Sequence, residues 1–268
     1  MEHVRTAARA AWAMGCGVAI LAGCSPRLHL DEVGSFATQP GALDAAFDSA
    51  AGRLMVLVEV DGVHAYATDG TPAGTLPFAD LEGGGFDLFY GAQALAVGEA
   101  GDLIVTTYDS VGWRVYPDTR LAEVYFCLLP PAPSEWQVWQ NGGIAVDGSG
   151  GTIFTNPRVD FCELDRPCRT TSNTLELYST AGGAPVASTD LGPHGPAIAG
   201  LAYMEDRGTL LAAADGALLE LTTDGDVLRR AGLRLGDSEV TGVAYDAATA
   251  TAYVVQYDGH VTAYRVAP

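Results

Sequence analysis

The strongest constraint on the fold is an internal repeat that runs from residue 43 to the end of the chain. Five segments align with one another, and such self-similarity is the sequence signature of repeat architectures. The segments are LDAAFDSAAGRLMVLVEVDGVHAYATDGT, QALAVGEAGDLIVTTYDSVGWRVYPDT, GGIAVDGSGGTIFTN with TLELYSTAGG, AGLAYMEDRGTLLAAADGALLELTTDGD and TGVAYDAATATAYVVQYDGHVTAYRV. The chain is therefore expected to build one structural unit five times.

Each segment predicts three β-strands separated by short turns. The first strands end at Phe47, Val97, Val146, Tyr203 and Tyr245. A short acidic turn follows each of them, and the second strand is apolar, as in residues 54–58 and 252–255. The third strands reach Tyr66, Tyr116, Tyr178, Leu221 and Tyr264, so the units are spaced by 50, 62, 43 and 43 residues.

Asp-Gly pairs stand between the second and third strands at residues 61–62, 215–216 and 258–259. This pair favours the positive φ angles of a two-residue hairpin turn. We therefore interpret these aspartates as turn residues rather than as catalytic groups.

A fourth strand completes four of the units, in GTLPF, AEVYFCLL, APVASTDL and DVLRRAGL. The last unit reaches Pro268 after only three strands, and LHLDEVGSFATQ near the other end of the chain can supply the fourth. That pairing would remove two exposed sheet edges. Repeated four-stranded antiparallel sheets are typical of propeller blades. The sequence thus predicts an all-β, five-bladed β-propeller formed by residues 29–268 as a single domain, its last blade closed by the N-terminal strand. Over nearly this whole length the chain resembles the NHL and YVTN class of propellers.

The chain begins like an exported protein, with MEHVRTAARAAWAMGCGVAILAGCSP. Arg5 and Arg9 provide a positive start, and an uncharged, mostly apolar run from residue 10 to residue 21 follows. A transmembrane helix needs about 20 apolar residues, so this run is too short to span a bilayer. Its length matches the apolar core of a secretory signal.

Residues 21–24 read LAGC and resemble the lipobox of bacterial lipoproteins. The resemblance implies that residues 1–23 are a signal peptide, that Cys24 carries the lipid, and that residues 24–28 are a lipidated tether. Ser25 after the cysteine implies sorting to the outer membrane, so we expect a lipid-anchored protein of the bacterial cell envelope. The alternative is an ordinary signal peptide with a chance cysteine.

The chain is strongly acidic, with a net charge of −19 and no lysine. Without residues 1–23 there remain 12 Arg against 32 Asp and Glu, a net charge of −20. Such a chain repels phosphate backbones and anionic head groups, which argues against nucleic-acid binding and against membrane attachment by a basic patch. The charge serves solubility or, as the alternative, attracts cations.

Three cysteines follow Cys24. Cys162 and Cys168 lie close together in FCELDRPCRT, and an exported protein sits in an oxidising compartment, so they are expected to form a disulfide. Cys127 lies in the apolar run VYFCLL and is expected to be a buried thiol. A zinc site would need a fourth ligand and closer pairs.

Specific catalytic signatures are absent from the sequence, including G-x-S-x-G, H-E-x-x-H and the P-loop. QNGGIAVDGSGGTIFTN and DAAFDSAAGRLMVLVEVDGVHAY resemble blades of the gluconolactonase / senescence-marker-protein family, whose six-bladed members hold a metal with Glu, Asn and Asp at the channel mouth. The matching positions here fall on Leu43, near Ala199, and one residue from Asn141. One oxygen ligand of three would hold a divalent cation poorly. We therefore expect no catalytic residue, metal or cofactor.

The long loops are expected on one face of the propeller. Turns between second and third strands and connections between blades share that face, and they include residues 79–91, 129–141, 157–173 and 191–197. Long loops in a compact fold are usually functional or disordered. Disordered segments are poor in aromatic residues, whereas these loops are not.

The candidate binding residues on this face are Phe86, Phe89, Tyr90, Trp136, Trp139 and Asn141. The expected function is that of a binding or scaffold module for a protein or small-molecule ligand. Two alternatives stay open: the aromatic side chains plug the junctions between blades, or the protein is a hydrolase or lactonase with a metal at the channel mouth.

Overall fold

The computed structural model is a ring of five four-stranded antiparallel sheets, which confirms the predicted five-bladed β-propeller. It describes residues 27–83, 85–98, 100–108, 111–127, 137–147, 151–161, 169–179, 181, 184–192, 195–214, 216–235 and 238–268. For residues 85, 86, 127, 137–141 and 169 it describes the backbone alone.

Strand β1 (Leu30–Ala37) comes first in the chain and belongs to the last blade. The first blade is β2 (Ala42–Asp48), β3 (Arg53–Val58), β4 (Gly62–Ala67) and β5 (Pro72–Pro77). The second is β6 (Ala92–Val97), β7 (Leu103–Thr107), β8 (Val111–Tyr116) and β9 (Leu121–Cys127). The third is β10 (Gln137–Val146), β11 (Thr152–Phe161), β12 (Arg169–Ser179) and β13 (Ala187–Asp190).

The fourth blade is β14 (Ile198–Met204), β15 (Thr209–Ala214), β16 (Ala217–Leu221) and β17 (Val227–Gly232). The fifth is β18 (Val240–Asp246), β19 (Thr251–Gln256) and β20 (His260–Val266), with β1 outermost. In every blade the strand order follows the chain outward from the axis, except that β1 comes from the N-terminal end.

The predicted closure by the N-terminal strand is confirmed. Strand β1 runs antiparallel to β20, from the pair Leu30 and Val266 to the pair Ala37 and His260. Backbone hydrogen bonds continue beyond both ends, where Thr38 N–H donates to Gly259 O at 2.7 Å and Ala267 N–H donates to His29 O at 3.1 Å. The first and last strands of the described chain therefore share one sheet.

The core lies between neighbouring blades rather than at one centre. Leu57 and Val63 of the first blade pack against Leu95 and Val105 of the second, for example. Because each blade is covered on both faces, its inner strands are mostly apolar and buried on both sides instead of alternating. All five residues of β16 and all six of β19 are buried. A fully buried aliphatic side chain contributes about 1.5–3 kcal/mol.

Three of the expected long loops contain regular structure. The segment 79–91 holds most of a 3-10 helix (Phe78–Asp80) and the helix α1 (Gly85–Gly91), and buried Phe78 and Leu88 pack against the first two blades. The segment 157–173 is strand at both ends, because β11 continues to Phe161 and β12 starts at Arg169. Residues 137–141 form the start of β10. Within the described residues, no helix has the length and apolarity that crossing a membrane requires.

Candidate functional site

The innermost strands β2, β6, β10, β14 and β18 contact one another in a closed circle around the axis. They run from the face predicted to carry the long loops, here called the long-loop face, to the opposite face. That opposite face is called the turn face, and its first-to-second-strand turns are 49–52, 98–102, 147–151, 205–208 and 247–250. The long-loop face carries the second-to-third-strand turns, which include 59–61 and 257–259.

The five innermost strands approach each other very closely at one level. Register against the second strands makes Gly200, Gly242 and Asp44 equivalent positions of the fourth, fifth and first blades. A Cβ atom on Gly200 would lie 2.5 Å from the Cα atom of Gly242, and one on Gly242 would lie 2.6 Å from the Cα atom of Asp44. The narrow ring of five blades therefore leaves no room for a side chain at these two glycines.

Asp44 stands at this level and is completely buried. Its Oδ1 accepts the N–H of Ala45 at 2.8 Å, and its Oδ2 accepts the N–H of Leu95 in the second blade at 2.9 Å. The N–H of Val243 in the fifth blade is close enough to lower the pKa of this carboxyl group. An innermost strand is a sheet edge with unpaired backbone groups, which must find partners when buried. One carboxyl group thus accepts N–H groups of the first and second blades and lies close to one of the fifth.

Burial dominates the chemistry of this carboxyl group. Transfer from water disfavours the charged form and raises the pKa of Asp44 well above its usual value, while the three N–H donors act in the opposite direction without cancelling the effect. Sequence reasoning missed Asp44 and placed the comparable channel position on Leu43. A signal was present, because the aligned first strands carry Ala or Gly at this position in the other four units.

A cavity of about 340 Å³ opens at the turn-face end of the axis. Its inner part is lined by four equivalent alanines, Ala46, Ala96, Ala145 and Ala202. Its walls are the residues at which the first strands were predicted to end: Phe47, Val97, Val146, Tyr203 and Tyr245. This cavity at the channel mouth thus lies on the turn face, whereas the sequence predicted a binding site on the long-loop face.

The rim of this cavity is acidic, with Asp48, Asp147, Glu205 and Asp246 in its lining. The aspartates also organise the turns. Asp48 accepts hydrogen bonds from the Ala51 N–H and the Arg53 Nε–H, for example. None of the described residues lining the cavity is basic. A cationic or neutral group therefore fits its electrostatics better than an anionic one.

The positions compared with the lactonase ligands do not assemble in the described structure. Leu43 packs against the core between the first two blades, and Ala199 borders a shallow groove near the fourth and fifth blades. Asn141 is described only by its backbone, which pairs with Pro157. Among the described residues, no three His, Cys, Asp or Glu side chains are grouped so that they could hold a metal ion.

The long-loop face carries three exposed tyrosines, Tyr90, Tyr108 and Tyr257, which we call the tyrosine patch. Their exposed fractions are 64%, 56% and 46%. The Tyr108 N–H donates to Gly91 O at 2.9 Å, next to Tyr90. The Tyr257 hydroxyl donates to Glu59 Oε2 at 2.6 Å. This hydrogen bond, the Glu59 charge and nearby Tyr108 raise the pKa of Tyr257.

Two predicted binding residues, Phe89 and Tyr90, lie at this patch, and Tyr90 is part of it. Phe89 is half-buried against the core between the first two blades, whereas Tyr90 is exposed, and their rings meet edge to face at 4.9 Å. Phe86 lies in the same helix, where only its backbone is described. Sequence reasoning missed Tyr108 and Tyr257, although each directly follows the last residue of a second strand on the long-loop face.

The other predicted sites are only partly covered by the structure. Trp139 belongs to β10, where its backbone pairs with Val159. Cys127 ends β9, and only its backbone is described. Outside the described residues lie Trp136, Cys24, Cys162 and Cys168. The lipid site and the disulfide therefore stay predictions.

Comparison with known proteins assigns no family to this chain, since no protein-family model matches it and a search of the curated proteins finds no match.

Proposed function

We propose that this propeller is a lipid-anchored binding module of the bacterial envelope whose protein partner docks on the long-loop face. The observation that carries the proposal is the tyrosine patch. Single exposed apolar residues are normal on any protein. Here Tyr90, Tyr108 and Tyr257 come from three separate connections of the propeller and are exposed on the same face.

Tyrosine is suited to a recognition surface. Its ring removes a large area from water while only two side-chain torsions are ordered, and its hydroxyl can be satisfied at the edge of an interface. Val60, exposed by 52% in the turn that also carries Glu59, adds apolar area to the same face. Rigid strands hold the turns that carry Tyr108 and Tyr257, which lowers the entropic cost of binding.

The charge around the patch favours a basic partner. Glu59 accepts the Tyr257 hydroxyl, Glu239 O accepts the Tyr257 N–H, and Asp258 follows in the same turn. The whole chain carries a net charge of −19. Charge complementarity steers association and selects against wrong partners. We therefore infer a partner segment that carries Arg or Lys beside an apolar side chain.

A lipid on Cys24 would leave this face accessible. Leu28 is buried, and only four peptide steps separate it from Cys24, a reach of roughly 14 Å at full extension. Leu30 pairs with Val266, whose carbonyl accepts a hydrogen bond from Arg207 in a turn of the turn face. The tether thus enters the fold near the turn face, and the long-loop face would point away from the membrane.

The test compares partner recovery by two purified, lipidated variants. Tyr90→Ala, Tyr108→Ala and Tyr257→Ala combined should lose at least about tenfold in recovery of the partner from native envelopes, because large exposed aromatics dominate such interfaces. The control combines Val124→Ala and Val227→Ala, which are exposed on outer strands of other surfaces. Both variants should melt like the wild type. Equal recovery by the two variants would contradict the proposed face.

A second candidate function is binding of a small cation in the turn-face cavity. Phe47, Tyr203 and Tyr245 supply aromatic walls, and the rim is acidic. Aromatic walls with carboxylates suit quaternary ammonium groups. Calorimetric titration with tetramethylammonium tests this, with Tyr203→Ala expected to abolish the heat of binding. No saturable heat with the wild type would rule this cavity out as a cation site.

A further inference from the structure

We propose that the axis of the propeller is a binding site for one small carboxyl group, and that the side chain of Asp44 is its built-in occupant. This inference is independent of the proposed function. Asp44 is completely buried, its carboxyl oxygens accept the N–H groups of Ala45 and Leu95, and the N–H of Val243 on a third strand lies close to them.

The donors occupy one equivalent position of the fold. Ala45 pairs with Val56, and the same register places Leu95 opposite Val105 and Val243 opposite Val254 in their blades. Each of the three strands has a register irregularity just before this donor. The irregularity frees the backbone from the regular ladder at this level. The N–H groups of Leu95 and Val243 therefore approach the Asp44 carboxyl group because of the propeller's symmetry, whereas Ala45 is its neighbour in the chain.

Converging backbone N–H groups form concave sites for anions and carboxyl oxygens. No described side chain neutralises the charge of this carboxyl group, since no described Arg or His forms an ion pair with it. The equivalent residues Gly200 and Gly242 leave no space for a second side chain. The site thus accepts one carboxyl group, and it comes from the first blade.

The inference predicts chemical rescue. Asp44→Ala removes the carboxyl group and keeps the backbone donors, so the vacated site should take up formate from solution. Ligands that bind only the folded state raise stability with their concentration. The melting temperature of Asp44→Ala should therefore rise by several degrees in a saturable manner with sodium formate. Sodium chloride at equal ionic strength should not reproduce the rise.

Two further variants make the result decisive. Leu95→Ala is destabilised in the same region but keeps Asp44, so formate and chloride should affect it equally. Asp44→Asn fills the site and offers one acceptor oxygen, so its stability should lie between those of wild type and Asp44→Ala and should not respond to formate. If Asp44→Ala is unfolded in chloride, the readout becomes refolding yield, which formate should restore.

Three results would overturn the inference. The first is an equal response of Asp44→Ala to formate and chloride, in melting or in refolding. The second is a formate response of Leu95→Ala as large as that of Asp44→Ala. The third is an Asp44→Asn variant as stable as the wild type at a pH below the raised pKa of Asp44, because the donors would then not require a carboxyl group.

Discussion

Asp44 of the first blade and Gly242 of the last blade meet at the point where the ring closes around its axis. A Cβ atom on Gly242 would lie 2.6 Å from both the Cα and the Oδ1 atom of Asp44. The chain also links these two blades at the outside of the ring. Strand β1, which precedes the first blade in the sequence, is the outermost strand of the last blade, next to β20, β19 and β18. Closure of this propeller therefore depends on the axis and on the outer strand.

Gly242→Ala should destabilise the fold, because the added methyl group meets backbone atoms of Asp44 and Ala45 as well as the buried Asp44 carboxyl oxygen. Forcing an extra methyl group into a close-packed site costs about 1–3 kcal/mol. Denaturant titration measures this cost. Gly34→Ala is the matched control, since a Cβ there meets nothing within 4 Å, and it should leave stability nearly unchanged.

Stability should depend on pH through Asp44. Its pKa is raised in the folded state, whereas an unfolded aspartate titrates near about 3.9. Between these values the folded state holds the proton and the unfolded state has released it, so stability falls as pH rises through this window. Asp44→Asn should lack this component. Free energies of unfolding of both proteins across pH test it, and a stability advantage of wild type that grows as pH rises would contradict it.

Arg207 of the fourth blade forms hydrogen bonds to the C-terminal end of the last blade. Its Nη2 donates to the carbonyl oxygens of Val266 at 2.9 Å and Ala267 at 3.0 Å. Hydrogen bonds from charged groups are worth about 1.5–3 kcal/mol, so Arg207→Ala should lose about that much stability. Amide exchange should accelerate in β1 and β20. Arg120→Ala, which removes an exposed pair with Asp80, should change stability by less than about 0.5 kcal/mol.

Cys24→Ala should abolish lipid attachment, because the thiol is the only group of the predicted lipobox that can carry the diacylglyceryl chain. Metabolic labelling with a fatty acid should mark the wild type but not the variant, and the variant should leave the membrane fraction. Cys127→Ala serves as a control for loss of a thiol elsewhere. Equal labelling of Cys24→Ala and wild type would show that the lipobox interpretation is wrong.

The five-bladed architecture could be predicted because each repeat of the sequence forms one blade. Five aligned units, three of them with an Asp-Gly turn before the third strand, indicate blades, and a last unit with three strands indicates closure from the other end. In the turn at 258–259 the glycine has the expected positive φ, +84° at Gly259, whereas in the turn 59–61 Val60 adopts a φ of +50° and Gly62 opens β4. In these elements the local conformational preferences of the residues agree with the overall fold.

The third blade was harder to predict because it violates simple strand rules. Pro157 argues against a strand, yet β11 runs through it to Phe161. Asp160 is buried in the same strand, where Arg158 Nε and the Thr170 hydroxyl donate to it at 3.0 Å and 2.8 Å. These partners lie across the sheet or two residues away, so sequence pattern alone could not show that a charged residue was satisfied inside a strand.

The candidate site was only partly predictable for a related reason. Tyr90 was identified from a long aromatic segment, whereas Tyr108 and Tyr257 sit in short turns and come to the same face only through the ring. The role of Asp44 depends on backbone donors from Leu95 and Val243, far away in the chain. Contacts between residues of different blades, far apart in the chain, produce no recognisable pattern in the sequence of either segment.

The most direct test of the account is site-specific photocrosslinking in intact bacterial envelopes. A photoreactive amino acid is placed at Tyr108, at Tyr257 or, as the control on an outer strand, at Val124. We expect the lipidated protein to give one discrete protein adduct from Tyr108 and Tyr257, and the adduct should be absent from Val124. Adducts from Val124 alone, or no protein adduct from either tyrosine position, would contradict a partner on the long-loop face.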